Sequence, residues 1–258
     1  MAYNTRHEEI VRLLQVMKEV SVRTLTQRLN VSEATIRKDL TQLEEQAVLV
    51  RTHGGAILAE KQRNMSGIKD REQSLLEEKT AIARTARTLL SAGETIFIDS
   101  GSTCALLAHA VKDMHLRVIC HSVAVINELI NSPAISLHVL GGSYRTDSGS
   151  FVGPVSEENV QRFQIETCFL GTAGFSRDGL FTSQNLIEAR LKSEVLKVSR
   201  RRLVLSDHSK LDHAEFAVFA RAGDIDILIT DDQFSDRAWM ETVGCEVLLA
   251  PVGAEVPR

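Results

Sequence analysis

The chain has 258 residues, of which 43% are hydrophobic and 25% charged, so it has room for a small globular domain and a larger one. Its net charge of −4 at pH 7 excludes a global positive field, so any affinity for nucleic acid must come from a local patch. The four cysteines lack CxxC spacing, the start is polar rather than a signal peptide, and no apolar run approaches the ~20 residues of a membrane span, which together predict a cytoplasmic protein without a metal site or a membrane anchor.

Two short amphipathic helices are predicted first. Their apolar residues recur at helical spacing, and Ser21 can cap the second helix because its hydroxyl can accept from a free backbone N–H of the first turn. The inward-facing positions are Ile10, Leu13, Leu14 and Met17 in the first helix and Val22, Leu25 and Leu29 in the second. Only a few residues around Asn30 separate this helix from the next, which is typical of a helix-turn-helix.

The third helix has the pattern of a DNA-recognition helix. Ser32 is a good N-cap for it, and the apolar stripe that follows consists of Ile36, Leu40 and Leu43. The side chains that lie off this stripe and point outwards are Thr35, Arg37 and Lys38. A short polar group and two long cations can reach base edges and phosphates in a major groove. We therefore predict that Ser32 and the three outward side chains contact DNA.

A hairpin is predicted after the third helix. Residues 48–52 and 56–58 are short apolar runs, and the Gly54-Gly55 pair between them supplies the positive φ that a tight turn requires. This hairpin would be the wing of a winged helix-turn-helix. Arg51 and His53 would then touch the DNA backbone or the minor groove.

A three-helix packing module or a protein-interaction domain is the alternative for residues 1–58. This segment has eight Lys or Arg and seven Asp or Glu, so it is nearly neutral, whereas a strongly basic domain would be a clearer sign of DNA binding. Three of its cations, Arg37, Lys38 and Arg51, nevertheless lie on the third helix and the hairpin, and four of its acids lie in the first helix and at Glu44-Glu45. We therefore favour a winged helix-turn-helix DNA-binding domain over 1–58.

The rest of the chain alternates between predicted strands and helices. Residues 59–71 are polar and aperiodic and are predicted to form a linker. Short runs rich in Val, Ile and Leu predict strands at 95–98, 116–120, 137–140, 168–170, 202–205, 225–229 and 246–249. Helical stretches lie between several of them, such as 105–111, 123–130 and 186–198. This alternation predicts an α/β domain over 72–258, with a mainly parallel sheet and helices on both sides.

Small and polar residues follow four of these strands, and ligands of parallel sheets sit beyond the carboxyl ends of the strands. Small residues let backbone N–H groups approach an anion, a helix N-terminus adds positive charge, and an arginine can hold a phosphate through two hydrogen bonds. The four strand ends carry Asp99, Ser100, Gly101, Ser102 and Thr103; Gly141, Gly142 and Arg145; Gly171 and Thr172; and Asp207 and Lys210. They predict a site for a phosphorylated, hydroxyl-rich ligand, with Asp99 or Asp207 accepting from sugar hydroxyls.

Each strand end alone has a plainer explanation. A Gly-Ser-Thr run after a strand is often only a turn and a helix cap, and Asp207 with Lys210 could form a structural ion pair. Glu188 and Lys192 could be a surface pair at i, i+4. The coincidence at several strand ends favours a ligand site. The chain has no GxxxxGK[ST], no GxGxxG after a strand, no GxSxG and no HExxH, so we expect no cofactor.

These residues resemble the DeoR/GlpR family of bacterial transcriptional regulators, from about Arg6 to Leu249. The matching residues of the first domain are Ser32, Thr35-Ile36-Arg37-Lys38-Asp39-Leu40, Leu43 and Arg51-Thr52-His53-Gly54-Gly55-Ala56. Those of the second domain are Asp99-Ser100-Gly101-Ser102-Thr103, Gly141-Gly142 with Arg145, Glu188-Ala189 with Lys192, and Asp207-His208-Ser209-Lys210.

The resemblance implies a winged head that binds operators, usually as a repressor of sugar-catabolism genes. It implies a sensor domain similar to sugar-phosphate isomerases of the ribose-5-phosphate isomerase type. A phosphorylated sugar would be the effector, with Glu188 and Lys192 among its contacts, and the protein would be a homodimer or homotetramer. The side chains of residues 175–182 do not specify the sugar, so the identity of the effector is left open.

Two other functions are considered. In a sugar-phosphate isomerase with an accessory head, Asp99 or Asp207 would be the base and Lys210 would stabilise the enediolate. The winged head would then have no purpose, so we expect that the protein is not an enzyme. A pure protein-interaction scaffold would leave the polar strand ends unexplained.

Overall fold

The computed structural model of the chain describes residues 5–17, 19–45, 48–52, 54–58 and 74–253. The chain divides into two compact units, Met1–Arg71 and Glu72–Arg258. The predicted linker, 59–71, lies outside the described residues, so its boundaries stay a prediction. No helix in the described ranges is long and apolar enough to cross a membrane.

The first unit combines three helices with a three-stranded antiparallel sheet in its described part. Its elements are α1 (Thr5–Met17), β1 (Glu19–Ser21), α2 (Val22–Leu29), α3 (Glu33–Glu45), β2 (Leu49–Arg51) and β3 (Gly55–Leu58). The strand order is β1-β3-β2, so the predicted hairpin of β2 and β3 is present and a further strand joins it. The sequence did not indicate β1 because a strand of three residues is too short to show a period of two.

An apolar core joins the three helices of the first unit. The predicted inward-facing positions of α1 and α2 supply fully buried side chains, among them Ile10, Leu14 and Leu25. The predicted stripe of α3, Ile36, Leu40 and Leu43, is also fully buried. Met17 differs from the prediction, because it is the last residue of α1 and is 41% exposed. The outer face of α3 is therefore fixed by a buried inner face.

Hydroxyl groups cap the second and third helices, as the sequence predicts. Ser21 Oγ accepts from the backbone N–H of Thr24 at 3.1 Å. Ser32 Oγ accepts from the backbone N–H of Thr35 at 3.3 Å and lies 2.9 Å from the Thr35 hydroxyl. Each cap satisfies a donor that the helix itself leaves without a partner.

The Gly54-Gly55 pair does not adopt the positive φ that the sequence analysis expected. Neither residue has a positive φ, and the backbone N–H of Thr52 donates to the Gly55 carbonyl at 3.0 Å. Gly55 is required for another reason, since a Cβ at this position would overlap the carbonyl oxygen of Val20 in β1. This glycine therefore allows two strands to approach closely, and it does not form a left-handed turn.

The second unit is built on a parallel sheet. The strands of the unit are β4 (Thr95–Ile98), β5 (Leu116–Cys120), β6 (Ile135–Val139), β7 (Ser143–Arg145), β8 (Ser150–Val152), β9 (Ile165–Gly171), β10 (Gly174–Phe175), β11 (Leu180–Ser183), β12 (Ser199–Leu205), β13 (Ala217–Arg221), β14 (Ile227–Asp231) and β15 (Glu246–Ala250). Seven of them form one sheet in the order β15-β14-β12-β9-β4-β5-β6, with every neighbouring pair parallel. These are the seven predicted strands, with ends that differ by a few residues.

Helices cover both faces of this sheet. They are α4 (Leu76–Thr88), α5 (Ser102–Val111), α6 (Val123–Leu129), α7 (Pro154–Val160), α8 (Leu186–Lys197) and α9 (Arg237–Thr242). Successive residues of a strand enter different apolar clusters: Ile96 packs with Ile82 of α4, whereas Phe97 packs with Leu191 of α8. Strands that are buried on both faces explain the continuous apolar runs in the sequence. The predicted fold class, a helix-turn-helix head and an α/β domain with a mainly parallel sheet, is confirmed.

Two smaller sheets were not predicted. β7 and β8 form an antiparallel hairpin, and β10, β11 and β13 form an antiparallel sheet. These strands have two to five residues each, so they show no clear alternation of polar and apolar positions. The β7–β8 hairpin carries Arg145, one of the predicted effector contacts.

Candidate functional site

The outer face of α3 presents the residues that the sequence analysis assigned to DNA. Arg37 and Lys38 are exposed, Thr35 is half-buried, and Ser32 at the cap is exposed. Arg37 has only a loose ion pair with Glu33 at 3.6 Å, in which both side chains are more than half exposed. Such a pair constrains the guanidinium weakly, so Arg37 can turn towards another anion.

A buried carboxylate behind this face fixes α3 against α1. Both carboxylate oxygens of Asp39 accept from the guanidinium of Arg6, at 2.5 Å and 2.8 Å, and His7 Nε2 lies 3.2 Å from one of them. Burial would raise the pKa of Asp39, but the hydrogen bonds from Arg6 and His7 outweigh burial and lower it. Asp39 lies 33 positions from Arg6 and 32 from His7 in the chain, so no local pattern in the sequence indicates this cluster.

The cluster borders a concavity on the same face of α3. It has a volume of about 450 Å³ and is lined by Arg6, Ala34, Thr35, Lys38, Asp39 and Gln42. Two of the predicted DNA contacts, Thr35 and Lys38, are thus brought together. Gln42 lies one helical turn beyond Lys38 and is exposed. Its amide could bond a base edge, although nothing in the sequence pattern singled it out.

The hairpin of the first unit is tied to α3 through Arg51. Its guanidinium donates to the Thr41 hydroxyl at 3.1 Å, and its backbone N–H donates to Glu44 at 3.0 Å. Arg51 therefore anchors the predicted wing on the predicted recognition helix, while its side chain stays exposed. His53, the other predicted wing contact, lies outside the described residues.

In the second unit the carboxyl ends of the parallel strands share one edge of the sheet. The end of β4 leads through Asp99 and Ser100 to Gly101, which precedes α5 with a φ of 106°. Ser102 and Thr103 form the first turn of that helix. The free N–H groups of this turn can attract an anion, as the sequence analysis expected, and Gly101 leaves room for it.

Asp99 is enclosed among hydrogen-bond donors of the chain itself. It is 1% exposed and accepts from His121 Nε2 at 2.9 Å, from the backbone N–H of Gly171 at 2.9 Å and from Lys192 Nζ. Burial would raise its pKa, but Lys192 and His121 outweigh burial and hold the pKa of Asp99 well below its usual range. Its oxygens already have partners within the chain, so Asp99 holds this edge of the sheet together, and its contact with a sugar hydroxyl stays a prediction.

Lys192 is not the surface partner of Glu188 that the i, i+4 spacing allowed. It is 7% exposed, and besides Asp99 its Nζ donates to the Gly171 carbonyl at 2.7 Å and lies 5.2 Å from the centre of the Phe219 ring. Glu188 points elsewhere and accepts from the Ser183 hydroxyl at 3.2 Å. The two residues lie on one helix, but only Lys192 reaches the buried cluster, which consists of Asp99, His121 and Lys192.

Arg145 lies on β7 with an incompletely used guanidinium. Its Nη2 donates to Asp147 at 3.1 Å, whereas its Nε lies 3.8 Å from Glu188, which is too long for a hydrogen bond. This Nε is buried and has no hydrogen-bond partner. A buried donor without a partner costs free energy, so Arg145 Nε is suited to an acceptor that a ligand would supply.

Gly141 and Gly142 form the tight turn that leads from β6 to Arg145. Both have positive φ values, 66° and 122°. A Cβ at Gly142 would overlap the hydroxyl of Ser156, which donates to the Gly141 carbonyl at 2.5 Å. The two glycines therefore determine where the β7–β8 hairpin begins.

Two predicted polar contacts are occupied within their own loops. The Thr172 hydroxyl donates to the carbonyls of Gly174 and Thr182, at 2.7 Å and 3.0 Å. Asp207 is 3% exposed and accepts from the backbone N–H and the hydroxyl of Ser209, at 3.2 Å and 2.5 Å. Asp207 caps a short 3-10 turn, and its contact with a sugar hydroxyl stays a prediction. In the described part of the chain no ion pair joins Asp207 to Lys210, which is half-buried.

Two histidines at this edge were given no role by the sequence patterns. His121 follows β5 and is 2% exposed, with Asp99 on one side of its ring and the Phe151 carbonyl on the other. His208 accompanies β12, and its Nδ1 lies 2.7 Å from Asp231, a fully buried residue at the end of β14. Their positions after strands were the available signal. No group of three or more His, Cys, Asp or Glu in the described ranges could hold a metal ion.

Two family models match the chain. The model of the DeoR C terminal sensor domain matches residues 74–232, and that of the DeoR-like helix-turn-helix domain matches residues 6–62. The matched segments correspond to the two structural units described above.

Curated relatives match over nearly their whole length. The HTH-type transcriptional regulator GolR of Listeria innocua is 33% identical over 234 residues, 89% of this chain and 91% of the relative. The glycerol-3-phosphate regulon repressor of Escherichia coli is 31% identical over 232 residues, 90% of this chain and 92% of the relative. Among solved structures, ribose 5-phosphate isomerase A of Methanocaldococcus jannaschii is similar with 18% identity and a TM-score of 0.39, over 52% of this chain and 53% of that one.

Proposed function

Because the chain belongs to the DeoR family of DNA-binding transcriptional regulators, we propose that it represses genes of carbohydrate catabolism under the control of a phosphorylated sugar. Repression is supported by relatives such as the glycerol-3-phosphate regulon repressor of Escherichia coli. The observation that carries the proposal is the buried Arg145 Nε without a hydrogen-bond partner, on the hairpin that follows β6, beside the sheet edge at which α5 begins with free backbone donors.

DNA is bound by the outer face of α3 and by the hairpin of β2 and β3. Ser32, Thr35, Arg37 and Lys38 supply hydroxyl and cationic groups on α3, and Arg51 supports the hairpin. Because the chain is acidic overall, these local cations carry the attraction to phosphates. Binding should therefore weaken steeply with salt as counterions are released.

The effector binds at the carboxyl edge of the parallel sheet. The turn of Gly101, Ser102 and Thr103 and the Nε of Arg145 hold its phosphate, while Lys192 adds positive charge behind them. Lys210, half-buried beside this edge, is a further contact. Because Asp99 and Asp207 already accept hydrogen bonds from within the chain, this proposal assigns them no sugar hydroxyl. The specificity for a particular sugar comes from groups that the present geometry leaves open.

The protein is not an isomerase in this proposal. An isomerase requires a carboxylate that can take a proton from the substrate. Asp99 is enclosed and its pKa is held below its usual range, and Asp207 is buried as a cap. A coupled assay on pentose and hexose phosphates should give no activity above the buffer rate, and turnover would contradict this part of the proposal.

We propose further that the protein works in the cytoplasm as a homodimer or homotetramer. A dimer would present two α3 helices to two half-sites of an operator. Light scattering on the purified protein measures the mass directly. A monomer at micromolar concentration with full operator affinity would contradict an oligomeric repressor.

A thermal-shift screen tests the effector. Purified full-length protein is heated with sugar phosphates and with their unphosphorylated parents. A ligand at a hundredfold its Kd stabilises the fold by about 2.7 kcal/mol, which raises the Tm measurably. We expect a shift with one or more phosphates and none with the parent sugars, and equal shifts for both would contradict a phosphate site.

A further inference from the structure

His121 lies between the centre of the sheet and the hairpin of β7 and β8. It follows β5 directly, and its ring stacks on Phe97 of β4 with centroids 5.8 Å apart. Its ring is closed off from solvent, since the side chain is 3% exposed. The ring therefore interacts only with the groups that surround it, and these decide its protonation state.

Both ring nitrogens of His121 face oxygen atoms that only accept. Nε2 lies 2.9 Å from Asp99 Oδ1, and Nδ1 lies 2.8 Å from the Phe151 carbonyl. Asp99 is ionised because its pKa is lowered, and a carbonyl has no proton to give. A neutral imidazole has one N–H and would set a lone pair against one of the two oxygens. The surroundings thus require an imidazolium with two N–H groups.

The charges around this ring leave the cluster net positive. Asp99 contributes one negative charge, and Lys192 and the His121 imidazolium contribute one positive charge each. On the hairpin, Arg145 bonds Asp147 and lies 3.8 Å from Glu188 of α8, so these three groups together carry one negative charge. With an imidazolium at His121 the six groups are neutral, whereas a neutral ring would leave one negative charge, which disfavours an anion at the sheet edge.

The same residue holds the hairpin in place. The Phe151 backbone donates to the His121 carbonyl at 2.8 Å, while the His121 ring faces the Phe151 carbonyl. Val123 N donates to the Gly149 carbonyl at 2.9 Å just beside them. In the register of the hairpin, Arg145 is opposite Ser150, which adjoins Phe151. The ring of His121 therefore fixes the strand that supports Arg145.

We propose that His121, held as an imidazolium between Asp99 and the Phe151 carbonyl, is the positioning residue that sets Arg145 for the phosphate of the effector. This inference rests on the proposed function, since it assigns to His121 a part in the same anion site. His121 acts through Arg145 and the cluster charge, and it does not touch the effector.

Nitrogen NMR on the full-length wild-type protein, with labelled histidine rings, tests the protonation state first. At pH 8.5 the His121 ring should show two protonated nitrogens, and it is assigned by its absence from the spectrum of His121→Gln. A His121 ring with a single protonated nitrogen would overturn the inference without any binding measurement.

A double-mutant cycle tests the positioning role. The probe is inorganic sulfate, which stays divalent across the pH range used, and its Kd is measured by calorimetry at constant ionic strength. His121→Gln should weaken sulfate binding by about tenfold in the wild-type background and by less than about twofold in an Arg145→Gln background, because residues that act together are not additive. The matched control is His109→Gln, which removes an exposed histidine paired with Glu128 and should change nothing.

The possible outcomes separate this inference from the proposed function. If Arg145→Gln weakens sulfate binding and His121→Gln does not, the positioning role is wrong and the anion site stands. If His121→Gln costs the same in both backgrounds, its role does not run through Arg145 and the inference also fails. If neither substitution changes sulfate binding, the proposed anion site fails together with the inference. Circular dichroism and melting curves of each variant verify that it is folded.

Discussion

Each structural unit contains a buried aspartate held between two basic side chains, but the basic side chains of the two units differ in their exposure to water. In the first unit Asp39 pairs with Arg6, whose side chain is 31% exposed. In the second unit Asp99 pairs with Lys192 and His121, whose side chains are 8% and 3% exposed. Charges screened by water attract each other weakly, and enclosed charges attract strongly and cost much when one partner is lost.

The difference suits the work of each unit. The Asp39 cluster orients a surface helix that must meet a large, charged and salt-sensitive partner, so moderate strength is sufficient. In the proposed function the Asp99 cluster sets the charge and shape of the effector site, which requires groups that do not move. The same arrangement of one acid and two bases is thus partly open to water in the first unit and enclosed in the second.

Asp99→Asn should have the largest effect of the variants considered. It leaves Lys192 and His121 buried without their counter-charge, which costs about 3–5 kcal/mol of the free energy of unfolding. Urea unfolding followed by circular dichroism measures the loss. Glu128→Gln, which removes an exposed carboxylate on α6, is the matched control. A loss below about 1 kcal/mol for Asp99→Asn would show that the cluster is not enclosed as described.

Acid should remove the contribution of Asp99 in a defined direction. Its folded pKa lies below the value of an unfolded aspartate, about 3.9, so its stabilisation is complete above that value and is lost as the pH falls towards the folded pKa. The difference in stability between the wild type and Asp99→Asn should therefore shrink as the pH falls from 5 to below 4. A difference that grows over this window would contradict the sign of the shift.

Asp39→Asn should have a smaller effect, confined to the first unit. Losing the charged hydrogen bonds to Arg6 costs about 1–3 kcal/mol, and DNA affinity should fall because α3 is held less well. The loss in the free energy of unfolding should shrink in 1 M salt, since the partly exposed Arg6 is screened. Binding of sugar phosphates, followed by thermal shift, should be unchanged. An equal loss of stability at low and high salt would contradict this difference and show that the Asp39 pair is as enclosed as the Asp99 pair.

Arg37→Ala should weaken DNA binding without changing stability. A bidentate base contact is worth about 1–3 kcal/mol of binding free energy, and Arg37 has only a loose partner to lose. Fluorescence anisotropy with DNA selected from a random-sequence pool measures it. Arg12→Ala, which removes an exposed pair with Glu9 on α1, should give no measurable change and is the control. Equal affinities for wild type and Arg37→Ala would remove Arg37 from the DNA interface.

Most of the fold could be predicted, because it is encoded in local patterns. The apolar runs of the seven parallel strands and the stripe of α3 depend only on neighbouring residues, and the caps at Ser21 and Ser32 act within one turn. The elements that were missed, such as β1 and β7, are too short to carry a pattern. Gly55 was interpreted as a turn residue because its real constraint, the carbonyl of Val20, comes from a distant strand.

The chemistry at the sheet edge could be predicted in outline but not in its pairings. Asp99, Arg145 and Lys192 were named, yet Asp99 was assigned to the sugar and Lys192 to an effector contact or a surface pair. Asp99 and Lys192 are 93 positions apart, and Asp99 and His121 are 22 apart. Only the folded sheet brings them together, so no local spacing could show that Asp99 is already satisfied or that His121 completes the cluster.

The central claim is that the first unit binds DNA under the control of a phosphate bound by the second. The most direct measurement titrates glycerol 3-phosphate, then other sugar phosphates and their parent sugars, into the full-length protein on selected DNA and follows anisotropy. Coupling between sites is typically 5- to 150-fold, so one or more phosphates should change DNA affinity by about fivefold or more, with no effect of the unphosphorylated parents. A DNA Kd that is the same with every phosphate and every parent sugar would contradict the account.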